Sequence, residues 1–520
     1  VGYGSLGAVI GADYNVAIGY DAGNDIQTGS DNVIIGHQAG DKSADVDKAV
    51  IIGSDSCGAI MTSAADGTVA IGYKAGAAIT SGIKNTAVGY EALKTTAQGD
   101  YNTAIGYQAL TTTNYTNEGE NVAVGYLSMG LATSAKNNVA LGNQTLGGAT
   151  LTGNFNVAIG YHSGYNATSA ESNVIIGMQT GSNITVGNYN TAVGYKALYT
   201  EDVGDRAVAV GYQALYSQNS DSDNEETQNI GVGMYAGYFN VLGKENTLVG
   251  YQAGYGASGQ SNSTNTAIGN RCLQVVTTGS SNSVLGAKAA GNLTDGDNNV
   301  VIGYESAQNN TDGNNNVAVG YHAMRQDGSS SNVTSPDNCV FVGYDCRASS
   351  ATPTNQIAIG HEADGVDDNY ASIGNENITR VYGGHDAGAT FYGAGQSWSD
   401  KRIKKNVKDI GLGLDFINKL SPIQFTKKQP NDYDDSLKSK IKTKLRVIEE
   451  TELKRVRPGF LAQDVLEVLK EFNFSSNNSI VQIDDKSTQH SMDYQSLVVP
   501  LVKAVQELSQ QVEDLKKQIN

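Results

Sequence analysis

From Gly2 to Gly374 a glycine returns most often every 17 residues, each time closing a short apolar run such as Asn102-Thr103-Ala104-Ile105-Gly106-Tyr107. Self-similarity at so short a period constrains the fold more than any other feature of the chain. A unit of this size cannot bury its own hydrophobic face, so successive units must stack and share one continuous core. Twenty-two such glycines are separated by 21 intervals, of which 14 are 17 residues long; most others are 18, 19, 22 or 23, and only Gly360 to Gly374 is shorter. A fixed minimum with occasional additions describes a coil of constant circumference whose corners accept surface loops.

Within a unit, the run Asn156-Val157-Ala158-Ile159-Gly160-Tyr161 has the period of a strand, with Val157 and Ile159 on one side and Ala158 on the other. One set enters a narrow interior, and alanine fits where space is least. Glycine then permits a positive φ or a close backbone approach where the strand turns, which predicts a corner. The residue four before the glycine is usually Asn, as at Asn15, Asn32, Asn85, Asn121, Asn138, Asn190, Asn246, Asn299 and Asn316. Stacked in register, these side chains are expected to form amide ladders along the axis. Tyrosine follows the glycine in 13 of the 22 units, among them Tyr20, Tyr73, Tyr90, Tyr195, Tyr251 and Tyr321. That regularity predicts a structural row with its hydroxyls at the solvent edge, in preference to a sugar-stacking surface.

Charge divides the chain near Trp398. Residues 1–398 hold 14 Lys and Arg against 35 Asp and Glu, a net of −21, whereas residues 399–520 hold 21 against 18, a net of +3; together they give the overall −18. The acidic region repels phosphate, which argues against nucleic acid as a partner. Cys57, Cys272, Cys339 and Cys346 are too scattered for a disulfide framework and lack the spacing of a zinc site, so they read as free thilols of a reducing compartment, with no metal and no cofactor expected. No run of about 18 apolar residues predicts a membrane span. The chain opens at Val1 inside a repeat, and the expectation is that an N-terminal portion precedes it.

The rhythm divides the chain into a repeat shaft over 1–376, a glycine-rich connector over 377–398 and a polar, cationic region over 399–520. Three blocks of that last region, Ser399-Asp400-x-Arg402-x-Lys404-x-Asn406, then Gly459-Phe460-Leu461-Ala462-Gln463-Asp464-Val465, then Met492-Asp493-Tyr494-x-x-Leu497, resemble the peptidase S74 family of intramolecular chaperones that end phage tail spikes, tail fibres and endosialidases. The resemblance implies a domain that trimerises, guides the folding of the fibre before it and cuts itself free once. Carried over, Ser399 is the nucleophile, Lys404 its general base and Trp398–Ser399 the scissile bond, with Asp400, Arg402, Asn406, Gly459, Gln463, Asp464 and Tyr494 as supporting motif residues. The repeats are similar to those of phage tail fibres and, more distantly, to the β-roll heads of trimeric bacterial adhesins.

A lysine serves as base only when burial or adjacent positive charge lowers its pKa, and Lys401, Arg402 and Lys405 are placed to supply that charge. Positions five apart do not share a face of a helix or a strand, so Ser399 must sit in extended or turning chain before a helix that carries Lys404, or the lysine must come from another copy. On local sequence alone Ser399 also reads as a helix N-cap with Asp400 in the first turn. At the far end Val498, Leu501, Val505, Leu508, Val512, Leu515 and Ile519 form a heptad seam and predict a coiled coil. Val or Ile at a with Leu at d favours two strands, whereas the family resemblance calls for three; three is the expectation.

The expected fold is therefore mostly β: an elongated repetitive β-solenoid, or β-roll, in an intertwined homotrimer, followed by an α+β chaperone domain ending in a coiled-coil helix. One strand spacing per turn gives the 22 units a length of about 100 Å. Three functions compete. The leading one is a virion tail fibre, assembled in the host cytoplasm, that joins other tail proteins and attaches to a host surface receptor, a glycan in the first instance. A bacterial surface adhesin and a glycan-depolymerising tail spike are the alternatives. The latter needs a carboxylate pair in a cleft, for which Asp221, Asp223, Glu225 and Glu226 are explained as well by an acidic surface loop. The longer loops before Gly233 and Gly343 are the candidate recognition sites.

Overall fold

Each repeat yields one three-residue strand, because its β-branched run is only as long as the interval between a corner asparagine and a corner glycine permits. The computed structural model describes residues 1–113, 119–223, 225–378, 410–429, 432, 450–474, 480–483 and 490–519, in two units, Val1–Ile378 and Thr379–Asn520. The first contains 21 strands, from Val16–Ile18 to Ala371–Ile373, one fewer than its repeat glycines because only Val1 precedes Gly2. Each strand pairs in parallel with the next, equivalent residue opposite equivalent residue: Val157 faces Val174, and Val174 faces Thr191. The ladder is complete within one chain. No strand therefore needs to be supplied by another copy.

The central residue of the strand points inward and the two flanking residues outward, so Ala158 is buried while Val157 and Ile159 are half-buried. Volume inside a turn is shared between that central residue and the one four after the glycine. Where the centre is Ala104, Ala123 or Ala140, the partner is Leu110, Met129 or Leu146, all buried. Where the centre is Leu248, the partner is Gly254, at which a Cβ would lie 2.5 Å from a Leu248 methyl. Where both positions are small, a large side chain of the preceding turn reaches across, as Leu215 does towards Gly231 and Gly237 and Leu146 towards Gly164, so close packing is kept by sharing volume between turns as well as within them.

The corner glycine is obligatory on two counts. Gly160 has φ +126°, and a Cβ there would stand 2.5 Å from the carbonyl oxygen of Gly177 in the next turn. The preceding asparagine satisfies the corner on the inside. Asn173 donates its main-chain N–H to Asn156 Oδ1 (3.1 Å), accepts the Asn190 N–H on its own Oδ1 (2.8 Å), and donates its amide N–H to Asn156 Oδ1 (3.0 Å) and the Gly187 carbonyl (2.9 Å). The expected amide ladder is thus present, and it satisfies buried donors that the three-residue strand leaves unpaired.

In the second unit an antiparallel pair, Ile423–Phe425 with Arg457–Gly459, and a second, Val481–Ile483 with His490–Met492, accompany helices Leu414–Lys419, Ala462–Glu471 and Val498–Ile519. Its buried core comprises Leu412, Phe416, Val465, Leu466, Leu469, Ile480 and Val481. The Ala462–Glu471 helix contributes Val465, Leu466 and Leu469 from one face, as its period requires.

Candidate functional site

Ser399, Asp400, Arg402, Lys404 and Asn406, and the Trp398–Ser399 bond, lie outside the described residues. The structure does bring the two later motif blocks together. Tyr494 Oη accepts the Phe460 N–H at 3.1 Å, and the two rings lie 6.2 Å apart. Gly459 leaves room for that hydroxyl: a Cβ would meet it at 2.7 Å and the Phe425 ring at 2.9 Å. Asp493 then caps the turn that leads into the last helix, its two carboxylate oxygens accepting from the Gln495 N–H (3.0 Å) and the Ser496 hydroxyl (2.7 Å). Gln463 and Asp464 are exposed in the first turn of their helix, where a carboxylate is favoured by the helix dipole. The joining role of Phe460 and Phe425 is a matter of contact between segments and left no pattern in the sequence.

The terminal helix presents two faces of different character. Pro500 and Ala504 are buried, and Glu507, one turn on, accepts the Leu414 N–H at 2.7 Å and so caps the helix Leu414–Lys419. The heptad seam is on the exposed side: Leu501 is 50% exposed, Val505 59% and Leu515 56%. Ile417, Leu420, Pro422, Phe460, Leu497 and Leu501 line an apolar hollow of about 440 Å³ that opens beside this seam.

A larger unpartnered surface runs along the solenoid. Two outward positions on each of 21 strands give 42 sites; six are Thr or Ser, the rest are Val, Ile, Leu or Ala, and none is charged. In a region of net charge −21 such a strip is not accidental. Contiguous exposed apolar surface of this extent is rare on monomers and marks an interaction face.

Polar and aromatic rows flank it. A second ladder, not anticipated from the sequence, runs six residues before the glycine with the opposite polarity: the Glu171 N–H is accepted by Asn188 Oδ1 (2.8 Å) and the Asn188 N–H by Asp205 Oδ1 (2.6 Å). The tyrosines after the glycine stack turn upon turn, as in Tyr73, Tyr90, Tyr107 and Tyr126 with centroids 5.1 to 5.3 Å apart, the structural row expected. A further row, Tyr199, Tyr216, Tyr238 and Tyr255, five after the glycine, stacks at 5.0 to 5.3 Å. Its signal was in the sequence, at the same period but only four units long.

Two of the four acids named in the loop before Gly233 are engaged in ion pairs, Glu225 with Lys244 and Glu226 with Arg206, the chemistry of an anchored surface loop. Glu305 gathers Lys288 (2.9 Å), His322 (3.2 Å) and Arg325 (3.4 Å) from successive turns. Burial pushes its carboxyl up, but hydrogen bonds from Lys288 and Tyr304 and the charges of Arg325 and Lys288 outweigh that and hold it below the ordinary value. Among the described residues no group of His, Cys, Asp and Glu is arranged to hold a metal ion, and no helix is long and apolar enough to cross a membrane.

Residues 399–473 match the peptidase S74 family model, described as a chaperone of endosialidase. The match takes in the Ser399–Asn406 block and the Gly459–Val465 block, leaving the solenoid and the terminal helix outside it. No curated protein and no solved structure matches the chain.

Proposed function

We propose that this chain is the shaft and assembly end of a homotrimeric attachment fibre of a bacteriophage tail. The observation that carries the reading is the uncharged strip of the solenoid. Only a partner with an equally long apolar face covers it from end to end, and a further copy of the chain has one in the same register. Cyclic closure of three copies places the three strips against one another and leaves the acidic, polar corners in water. The exposed heptad seam supports the same partner, and the S74 match supplies the logic: a C-terminal segment that gathers three copies before the shafts stack. In this reading the Ser399 hydroxyl attacks the Trp398 carbonyl carbon while Lys404 takes its proton; the Trp398–Ser399 C–N bond breaks, the freed Ser399 amine takes up that proton, and water hydrolyses the resulting ester, once per chain, because proximity replaces substrate binding. The fibre is assembled in the host cytoplasm, joins other tail proteins and contacts a surface receptor through its corners and loops.

Sedimentation equilibrium on the intact protein tests the assembly: three copies are expected, and Ile176→Asp, which sets a charge in the strip, should weaken association by about a hundredfold. A parent that sediments as a folded monomer overturns the reading. A denaturing gel tests the cleavage: the parent should yield fragments of 1–398 and 399–520, and Ser399→Ala and Lys404→Ala should each remain whole.

A further inference from the structure

Five residues before each corner glycine the backbone is held at positive φ, and most turns place a small or flexible polar residue there, such as Ser172, Asn298 or Asn315. That choice is local physics, since Asn tolerates left-handed backbone and a bulky ring does not gain from it without a partner. Four turns carry a ring there instead, Tyr14, Tyr101, Phe155 (φ 60°) and Tyr189 (φ 58°); Tyr14 stands far from the others and Tyr101 lies against Lys84, whereas Phe155 and Tyr189, at 59% and 61% exposure, fall within two turns of each other. Unlike the two stacked rows, neither ring meets another aromatic or a cation among the described residues. They stand two turns apart with Ser172 between them, which separates the rings by about 10 Å along the axis.

Hydrogen-bonding groups run beside this pair. Asn154, Glu171, Asn188 and Asp205 occupy the adjacent outer ladder, where Asn154 donates to Glu171 at 3.0 Å. Tyr189 borders a cleft of about 540 Å³ whose lining includes Glu171, Asn188, Asp205, Arg206, Asp223 and Glu226. Asp223 and Glu226 come from the 22-residue interval between Gly211 and Gly233, so the insertion builds one wall. Four carboxylates face one guanidinium. The ridge lies on the corner before the strand, outside the uncharged strip.

We infer that this ridge binds a linear pyranose chain, uncharged or amino-bearing, laid parallel to the solenoid axis. Rings of Phe155 and Tyr189 offer their faces to the apolar faces of sugars two turns apart, and the carboxylates and amides beside them take the hydroxyls or ammonium groups. The charge balance of the cleft repels uronic, sialylated and phosphorylated chains. The inference rests on the attachment reading and names the chemistry of its receptor.

Titration calorimetry on the intact protein tests it with three probes: a β-1,4-linked glucose hexasaccharide, the corresponding glucosamine hexasaccharide and polysialic acid. One or both of the first two should bind and the third should not. Tyr189→Ala and Phe155→Ala should each weaken binding about tenfold, and Tyr189→Trp should retain it, with melting unchanged because both rings face solvent. Failure of both hexasaccharides to bind, a preference for polysialic acid, or an unaltered Phe155→Ala/Tyr189→Ala double variant overturns the site. Adsorption to bacterial cells separates this from the attachment reading. Equal adsorption of parent and double variant sinks the site alone, whereas a parent that adsorbs to no cell sinks attachment while the titration still decides the site.

Discussion

In the solenoid a buried side chain meets its own equivalent one turn away, so a single solution to packing and hydrogen bonding is used again at every turn from Val16 to Ile373. In the C-terminal unit the buried core is Leu412, Phe416, Val465, Leu466, Leu469, Ile480 and Val481, each in a different environment, and a 22-residue helix keeps its apolar seam exposed. The first region obtains stability from nearest-neighbour terms that accumulate with length. Among its described residues the second buries a handful of apolar side chains and leaves the seam of its last helix exposed. A repeat secures a long element with one local solution but leaves its flank open along the full length.

The comparison breaks first at the corner glycines. Gly160→Ala forces a Cβ to 2.5 Å from the Gly177 carbonyl at a φ of +126°, and should destabilise the solenoid by about 4 kcal/mol. Thermal unfolding checks this, and a loss under about 1 kcal/mol means the turns are not held in contact as described. Among the described residues no atom lies within 4 Å of a Cβ added at Gly411, so Gly411→Ala in the C-terminal unit should be nearly neutral and serves as the contrast.

The two ladders sharpen it next. Asn173→Ala removes the acceptor of the Asn190 N–H in a buried setting and should cost about 2–3 kcal/mol. Asn188→Ala breaks the half-buried outer ladder, where water can replace the lost acceptor, and should cost about 1 kcal/mol. Equal losses in urea unfolding would mean that the inner row has no special place in the fold.

The smallest effect is electrostatic. Because the folded-state pKa of Glu305 lies below its ordinary 4.5, its contribution is fully present above that value and is lost as pH falls through the lower folded value. Glu305→Gln should therefore narrow the stability difference between pH 7 and pH 3, by under about 1 kcal/mol. Melting curves of the two proteins that stay parallel across that range would remove the cluster from the account.

Much of the solenoid was legible because a period is a tertiary statement written in one dimension. Gly160, Ala158 and Asn156 each recur at a fixed offset, so their corner, interior and ladder roles followed from residue type and spacing. The outer ladder was not legible: Asp, Asn and Ser all serve there, since each offers a side-chain oxygen that accepts the N–H, and the position varies in identity while holding its function. Periodicity likewise specifies that equivalent strands pair but not which chain supplies them; in the structure one chain supplies them all. Of the candidate site, Gly459 and Tyr494 meet as parts of one packing contact, while Ser399 and Lys404 fall outside the described residues.

By itself the sequence determined a stacked coil of three-residue strands, its glycine corners, its asparagine ladder and the break in chemistry near Trp398, because each repeats or changes at positions that backbone sterics and charge make decisive. Only the tertiary structure decided that the other side of each strand stays uncovered within one chain, since period-2 alternation says nothing of what lies against the outer face. Closure around alanine turned the larger Val and Ile side chains outward, and so produced the uncharged strip.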